Sequence, residues 1–227
     1  AYLRKHLLEF YKKHQRDLPW RRTSDPYAIW VSEIMLQQTQ VETVIPRYKI
    51  FLEEFPTVEA LAQAGVHRVC EAWAGLGYYR RARLLHAGAE YVVAQLAGLL
   101  PAEPKALLCI PGIGRYTAGA IASIAFGQRA PIVDGNVERV LGRFFALEHE
   151  VKSSAGQAAL WGWAKELVQG AQPGEMNQAM MEFGALLCRP RAPDCAHCPV
   201  AQRCAARIAG DVDAYPKLKM KAQKKKM

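Results

Sequence analysis

Apolar residues recur along this chain at the three- and four-residue spacing that is typical of amphipathic helices. Near the N-terminus, for example, Leu3, Leu7, Leu8 and Tyr11 share one helical face. The Ser-Asp-Pro at 24–26 is a helix-capping pattern. Predicted helices cover residues 2–14, 24–38, 41–55, 66–74, 79–96, 136–144, 155–168 and 175–188, with a short one beginning at 56–57. The sequence has no sustained period-two run of β-branched residues, so the predicted fold class is all-α.

Two further predicted helices, a short one that reaches Ile110 and a second that begins near Arg115, are joined by a tight turn, Pro-Gly-Ile-Gly at 111–114. Glycine permits a positive φ and lets the backbone approach a ligand. The N–H groups that open the following helix can hold a phosphate oxygen. The spacing alone is equally compatible with a helix–helix corner that binds nothing. The full string at 108–118, LCIPGIGRYTA, resembles the helix–hairpin–helix of DNA repair glycosylases, which implies DNA binding at Gly112 and Gly114.

Charge adds a weak indication of a polyanionic partner. The formal net charge of the 227 residues is +9, which suggests nucleic acid or an anionic membrane surface. Without the six lysines of a basic tail or linker, placed at 211–227, a charge of +3 remains. These are Lys217, Lys219, Lys221, Lys224, Lys225 and Lys226. No apolar stretch approaches the roughly 18 residues of a membrane span, and the charged N-terminal helix is not a secretory signal. We therefore expect an intracellular protein without membrane contact.

Cysteine spacing gives the strongest chemical signal. Six cysteines in an intracellular chain indicate metal or redox chemistry rather than disulfides. Four of them, Cys188, Cys195, Cys198 and Cys204, lie within 17 residues, which indicates a shared metal ligand. A four-cysteine zinc site stays open as an alternative, although zinc sites more often use two similar short pairs. The uneven spacing resembles the 4Fe–4S loop of the endonuclease III superfamily.

Other residues of metal-binding type have structural interpretations. Cys70 and Cys109 stand alone among apolar neighbours and are predicted to be small core residues. His197 lies inside the cysteine loop, but the four ligand positions are already filled, so it is predicted to be a surface residue. His86 is predicted to be structural because it shares its helix with leucines.

Two acidic residues are candidates for catalysis, although the residues alone do not assign them. Glu33 lies on a predicted helix, where a single acid is usually solvated. Asp134 precedes Gly-Asn and a predicted helix, so helix capping is a strong alternative for it. To this point the sequence indicates a DNA-binding helical metalloprotein with unassigned catalytic groups.

Longer motifs resemble those of the MutY-type adenine DNA glycosylases. The string LQQTQV at 36–41, preceded by Glu33, is the more specific mark. Further matches in the order of the family are LPW at 18–20, GLGYY at 75–79, VDGNV at 133–137 and NQAMMEFG at 177–184. The resemblance runs from about 16 to 204. It implies a base-excision-repair enzyme that hydrolyses the glycosidic bond of adenine mispaired with 8-oxoguanine or guanine, and it implies a 4Fe–4S cluster.

The resemblance also implies a role for each catalytic candidate. Glu33 would protonate adenine at N7 as general acid, since a carboxyl group in an apolar pocket retains its proton more readily. Asp134 would stabilise the oxocarbenium-like sugar or attack it transiently, as the carboxylate pairs of glycosidases do. Asn136 would orient the site, and Tyr116 would pack near the sugar and Asp134. Bifunctional relatives carry a Schiff-base lysine at the position of Tyr116, so the tyrosine implies little or no strand-cleaving lyase activity.

The adenine must leave the stack before its bond can be reached, and the resemblance implies residues for this step too. The pocket for the flipped base would be lined by Arg16, Leu18, Trp20, Arg21 and Gln178. Gln38 and Tyr78 would wedge into the stack near the partner base. For Trp20 and Tyr78, packing in the core is an equal alternative.

The architecture implied is two helical modules that flank an active-site cleft. One module, 21–130, would hold the helix–hairpin–helix. The other, 1–20 plus 131–210, would be discontinuous and hold the cluster loop at 188–204. The expected partner is double-stranded DNA containing a mispaired adenine, bound by a monomer in a bacterial cytoplasm, a nucleus or a mitochondrion. The family usually has a further domain that helps to recognise 8-oxoguanine, and this chain ends soon after the cysteine loop, as a fragment would.

Three rival functions remain compatible with the sequence. Two are other enzymes of the superfamily, an abasic-site endonuclease and a thymine-mismatch glycosylase. Glu33 argues against both, and Tyr116 argues against the first. The third is a DNA-binding module without catalytic activity, in which the hairpin and the cluster only dock on DNA.

Overall fold

A computed structural model describes residues 1–218, and within this range the regular elements are all helices, which confirms the all-α fold class. The α-helices are α1 (Tyr2–His14), α2 (Pro26–Met35), α3 (Val41–Glu54), α4 (Val58–Gln63), α5 (Val66–Ala72), α6 (Arg80–Leu96), α7 (Pro104–Leu107), α8 (Arg115–Ile124), α9 (Gly135–Phe144), α10 (Ser154–Leu167), α11 (Pro173–Leu186) and α12 (Ala205–Ile208). Three short 3₁₀ turns lie at Pro19–Arg21, Ala201–Arg203 and Val212–Ala214. None of these helices is both long and apolar enough to cross a membrane.

The predicted basic tail lies only partly within this range. Lys219, Lys221, Lys224, Lys225 and Lys226 are outside the described residues. Lys217 is described: its backbone carbonyl accepts the N–H of Val151 at 2.8 Å, and its ammonium pairs with Glu148.

Helix starts follow from the capping residues. Asp25 accepts the backbone N–H groups of Tyr27 at 3.1 Å and Ala28 at 3.3 Å, as the Ser-Asp-Pro pattern predicts. Thr57 accepts the N–H of Ala60 at 3.2 Å and opens α4 in the same way. Each cap satisfies N–H groups that the first turn of a helix leaves without a partner.

Two helix ends differ clearly from the prediction. Helix α2 ends at Met35 rather than about Gln38, because Gln38 has a φ of +60°, which no right-handed helix accommodates. Helix α7 ends at Leu107, and the next residues continue to Ile110 as tight turns rather than as helix. The other helix bounds agree with the prediction to within two residues.

Residues Arg16–Ala130 form one compact unit, built from α2 to α8. Trp30, Phe51 and Trp73 are fully buried in its core, where the rings of Phe51 and Trp73 meet edge to face with their centroids 5.7 Å apart. Burying side chains of this size contributes roughly 1.5–3 kcal/mol each to folding. The core of this unit thus fixes α2, the helix that carries Glu33.

The second compact unit comprises Ala1–Gln15 and the described residues from Pro131 to 218. Helix α11 packs against both α1 and α9, and Phe10 meets Phe183 edge to face at 5.1 Å. The cysteine loop follows α11 directly. This arrangement places the start of α9, the end of α11 and the cysteines in one body.

Candidate active site

Glu33 is buried on α2, with only 4% of its surface exposed. Tyr116 on α8 donates its hydroxyl to Oε2 of Glu33 at 2.7 Å. A buried carboxyl group is costly unless it is hydrogen-bonded, and the packing of α2 against α8 supplies this partner. The alternative that Glu33 is a solvated surface acid is therefore wrong. The structure brings together two of the predicted catalytic residues, 83 positions apart in the chain.

Asp134 is the N-cap of α9. Its Oδ1 accepts the N–H of Val137 at 2.8 Å, and its Oδ2 accepts the side-chain amide of Asn136 at 2.9 Å. Burial raises the pKa of Asp134 above its ordinary value, although these hydrogen bonds and the charge of Arg139 act in the opposite direction. The capping interpretation of Asp134 is confirmed. Both carboxylate oxygens are also held in fixed directions, as a catalytic role would require.

Arg139 links the start of α9 to the first cysteine, and the sequence analysis missed this residue. It donates to Oδ1 of Asn136 at 2.8 Å and to the backbone carbonyls of Cys188 at 2.7 Å and Gly184 at 2.9 Å. A Cβ atom at Gly184 would lie 2.6 Å from that of Asn136, so glycine is needed for this close approach. The contact between Arg139 and Asn136 could have been predicted from their spacing, since residues three apart on a helix are neighbours.

The four predicted ligands, Cys188, Cys195, Cys198 and Cys204, line one cavity. Burial raises the pKa of Cys198 to about 11, since an ionised thiol there loses its hydration. Thiolates at such a position need a positive partner, which a bound metal provides. Within residues 1–218, no three His, Cys, Asp or Glu side chains have an arrangement that would hold a single metal ion. The chemistry of the donor set, four thiols facing one apolar cavity, fits a thiolate-bound cluster.

Arg143 lies beside this cavity and was also missed by the sequence analysis. It is 3% exposed, and its guanidinium donates to the carbonyls of Arg189 at 2.7 Å and Tyr215 at 3.0 Å. It also lies 3.6 Å from the sulfur of Cys188. No local signal pointed to Arg143, because its partners lie more than 40 residues away in the sequence.

The residues predicted to line the base pocket occupy different environments. Leu18 and Trp20 are buried, and Trp20 meets Tyr48 edge to face at 5.5 Å, which supports the core-packing interpretation of Trp20. Arg21 donates to the backbone carbonyl of Arg16 at 3.0 Å, and both arginines are half-buried. In the second unit, Oε1 of Gln178 accepts the hydroxyl of Tyr11 at 2.8 Å.

Gln38 and Tyr78 both protrude from their loops. Gln38 is exposed with a φ of +60°, and Tyr78 is 62% exposed with a φ of +47°. The core-packing alternative for Tyr78 is therefore wrong. Both residues that are predicted to wedge into the base stack are therefore exposed on the surface of the same unit.

The hairpin between α7 and α8 depends on its first glycine. Gly112 has a φ of +81°, and a Cβ atom there would lie 2.8 Å from that of Leu84 on α6. Gly114 is exposed and is the N-cap of α8, which has no side-chain hydrogen bond at its cap. This geometry allows a phosphate oxygen to approach the backbone.

The remaining predictions have mixed outcomes. His86 is buried with Nε2 at 2.6 Å from the carbonyl of Ala64, and His197 is exposed beside Asp194, as predicted. Cys70 packs against the core. Cys109, however, is exposed, so its prediction as a core residue is wrong. The early end of α7 changes the direction in which this residue points.

The chain matches the family described as HhH-GPD superfamily base excision DNA repair protein over residues 31–166, which is more than half of its length. The chain belongs to this superfamily. The matched region includes the helix of Glu33, the glycine hairpin and the Asp134 cap.

Individual relatives within the superfamily agree with this assignment. The chain is 50% identical over 210 residues to an adenine DNA glycosylase of Homo sapiens, which covers 88% of the chain and 38% of that protein. It is 36% identical over 207 residues to one of Buchnera aphidicola, covering 91% of the chain and 59% of that protein. The chain thus spans only about half the length of the curated relatives that it matches.

Solved structures show the same superfamily fold. A thermostable thymine-DNA glycosylase superposes with a TM-score of 0.85 at 32% identity, covering 91% of this chain and 95% of that one. A non-covalent endonuclease III–DNA complex has a TM-score of 0.75 at 22% identity, which shows the fold alone. Since these relatives differ in substrate, the residues of the site must decide the specificity.

Proposed function

We propose that this chain is the catalytic portion of an adenine DNA glycosylase, which removes adenine mispaired with 8-oxoguanine or guanine from double-stranded DNA. The observation that carries the proposal is the buried carboxyl group of Glu33, which lies on the helix that precedes the LQQTQV string. The hydroxyl of Tyr116 on α8 donates a hydrogen bond to this carboxyl group. Curated relatives named adenine DNA glycosylase, at 36–50% identity, support the same assignment. We further propose that it acts as a monomer in the compartment that contains the DNA, which is a bacterial cytoplasm, a nucleus or a mitochondrion.

Glu33 acts as the general acid. Adenine is a poor leaving group as an anion, and protonation at N7 lets it depart as a neutral base. A carboxyl group that is shielded from water holds a proton more readily than a solvated one. The hydroxyl of Tyr116 on Oε2 fixes the orientation of the carboxyl group, so the proton is delivered from a defined position.

Asp134 opposes the positive charge that develops on the sugar as the glycosidic bond breaks. Its oxygens are already oriented by Val137 and Asn136, so little reorganisation is needed at the transition state. Water then adds at C1′ and loses a proton, which leaves an abasic site and free adenine. The pair of carboxyl groups thus divides the work as in glycoside hydrolysis.

The other proposed contacts concern the DNA. Gly112, Gly114 and the start of α8 hold a phosphate of the backbone. The extruded base would contact Arg16, Leu18, Trp20, Arg21 and Gln178, while Gln38 and Tyr78 enter the stack. The exposure of Tyr78 supports this last role, since a wedge must be free to reach the DNA.

Removing the hydroxyl of Tyr116 is expected to slow base release without stopping it. Tyr116→Phe keeps the ring but deprives Glu33 of its donor, and the loss of a buried hydrogen bond to a carboxyl group is worth about 1.5 kcal/mol or more, or about tenfold in rate. Single-turnover kinetics measure the change. The control is Tyr91→Phe, a half-buried tyrosine of the same unit. An unchanged rate in Tyr116→Phe would argue that Glu33 does not depend on this contact.

We propose further that the four cysteines hold a 4Fe–4S cluster. Their convergence on one cavity supports this, as does the neighbouring guanidinium of Arg143. When bound, the cluster supplies a cross-link between four points of the loop, together with one-electron redox chemistry. The loop also carries positive charge from Arg189 and Arg191, both exposed, that can face the DNA backbone.

Purified protein is expected to absorb visible light broadly and to contain about four iron atoms per chain. Cys198→Ala should lose the iron and the visible absorbance, whereas Cys70→Ala, in the other unit, should retain both. Metal analysis measures the outcome. One zinc ion per chain, without visible absorbance, would show that the alternative metal site is correct.

A panel of defined duplexes tests the assignment of adenine. The panel contains adenine opposite 8-oxoguanine, adenine opposite guanine, thymine opposite guanine, and an abasic site. We expect base release only from the two adenine duplexes and no cleavage of the abasic site, because Tyr116 has no amine to form a Schiff base. Release of thymine instead would support the second candidate function, which the 32% identity to a thymine-DNA glycosylase favours.

A further inference from the structure

Arg81, in the first turn of α6, joins two loops that are far apart in the sequence. Its Nη1 donates to the carbonyls of Ile34 at 2.8 Å and Met35 at 2.9 Å, at the end of α2. Its Nη2 donates to the carbonyls of Leu76 at 2.9 Å and Gly77 at 3.1 Å, in the glycine turn. One guanidinium therefore holds the loop at 36–40 and the loop at 75–79 in a fixed relation.

Thr39 makes a second link between the same loops. Its hydroxyl accepts from Nη2 of Arg81 at 3.0 Å and donates to the carbonyl of Leu76 at 3.2 Å. Trp73 braces the second loop from its own side, since its indole N–H donates to the carbonyl of Gly77 at 3.1 Å. The loops are thus joined through side chains to backbone carbonyls, which fixes the backbone itself.

Each of these loops carries one residue in a costly backbone conformation. Gln38 and Tyr78 have φ values of +60° and +47°, in the left-handed region that L side chains rarely adopt. Such a conformation is unfavourable for these residues and persists only where the surrounding structure holds it in place. The guanidinium of Arg81, 5.6 Å from the ring centroid of Tyr78, is part of those surroundings.

The restrained residues are also the exposed ones. Tyr78 remains 62% exposed, although an aromatic ring of this size gains by burial. Strained and exposed positions that the fold maintains at a cost are typical of functional contacts. In a base excision DNA repair protein, a rigid exposed ring can stack on or between bases.

We propose that Arg81 is a positioning residue that fixes Gln38 and Tyr78 as one rigid wedge, which opens the base stack near the partner base of the target adenine. The inference rests on the proposed function, because it assumes that a base is extruded. Unstacking a base step costs free energy. A wedge that is already ordered adds no ordering cost of its own to this. Lysine cannot replace Arg81, since a single ammonium cannot reach both sets of carbonyls as the planar guanidinium does.

A fluorescent base, 2-aminopurine, placed next to the partner base that lies opposite the target adenine in a duplex reports unstacking when the protein binds. We expect Arg81→Lys to reduce the amplitude of the fluorescence increase at saturating protein by about twofold or more. Tyr78→Asn, which removes the ring but tolerates the left-handed backbone, should do the same. The fluorescence amplitude of the double variant should equal that of the more strongly affected single variant, because residues that act through one structure do not have additive effects.

Two outcomes would overturn the inference: an unchanged amplitude in Arg81→Lys, or independent losses that multiply in the double variant. Arg83→Lys, at an exposed arginine of the same helix, is the matched control and should leave the amplitude unchanged. If Arg81→Lys fails to fold by circular dichroism, Thr39→Val decides, since it removes only two hydrogen bonds of the same network. A reduced amplitude in Thr39→Val supports the inference, and a wild-type amplitude overturns it.

The fluorescence signal does not require base release. Protein that unstacks DNA in an Arg81-dependent way but frees no adenine would contradict the proposed function and leave this inference intact. Protein that releases adenine, but whose fluorescence increase does not depend on Arg81, would contradict this inference and leave the proposed function intact.

Discussion

Glu33→Gln is expected to lower the single-turnover rate of adenine release by about 10³-fold or more, near the upper range for the loss of a general acid. Glutamine has the size of glutamate, and its amide oxygen can still accept the hydroxyl of Tyr116. The amide has no acidic proton to give to adenine, so the packing survives while the chemistry stops. Rapid mixing with excess protein over an 8-oxoguanine:adenine duplex measures the rate.

The affinity of Glu33→Gln for the same duplex should stay within a few fold of the wild type. Glu42→Gln, at an exposed glutamate on α3, is the matched control and should keep the full rate. A Glu33→Gln protein that binds the duplex and releases adenine at the wild-type rate would exclude Glu33 as the acid.

Asp134→Asn should separate the structural role of this residue from its catalytic one. Asparagine caps helices about as well as aspartate, so the N–H of Val137 keeps its partner and the unfolding free energy should change little. The negative charge that opposes the cationic sugar is lost, and we expect the rate to fall about 10²- to 10³-fold. Asp25→Asn, the same replacement at the cap of α2, should alter neither stability nor rate.

The pH dependence gives a second test of Asp134. Burial raises the pKa of Asp134, and the ionised form is the active one, so protonation should slow the wild type on the acid side of the profile. Because the pKa is raised, this loss begins at a higher pH than for an ordinary aspartate. The limb should be absent from the residual rate of Asp134→Asn. Equal rates in the two proteins would reduce Asp134 to a helix cap.

The sequence predicted those parts of the fold that depend on neighbouring residues. Helix spacing, the Asp25 cap and the glycine turn at 111–114 are local patterns, and the structure contains all of them. The cysteine spacing brought four thiols to one cavity for the same reason. The exposure of Cys109 could not be predicted, because it depends on where α7 ends.

Three arginines were beyond the reach of local patterns. Arg81, Arg139 and Arg143 bind backbone carbonyls 40 to 50 residues away, at Ile34, Cys188 and Arg189 for example. In the sequence they look like charged residues on helices, which are usually solvated. The left-handed backbone conformation of Gln38 could not be predicted from the sequence either, since glutamine does not favour that conformation. Both features depend on which elements the fold brings together.

The proposed function is that of a monofunctional adenine glycosylase. A single-turnover assay on a duplex with adenine opposite 8-oxoguanine, treated or not treated with alkali afterwards, tests it most directly. We expect strand breaks at the adenine position only after alkali, since release of the base leaves an intact but alkali-labile abasic site. No alkali-dependent breaks from protein that binds the duplex and carries its metal would contradict the claim, and breaks without alkali would contradict the monofunctional part of it.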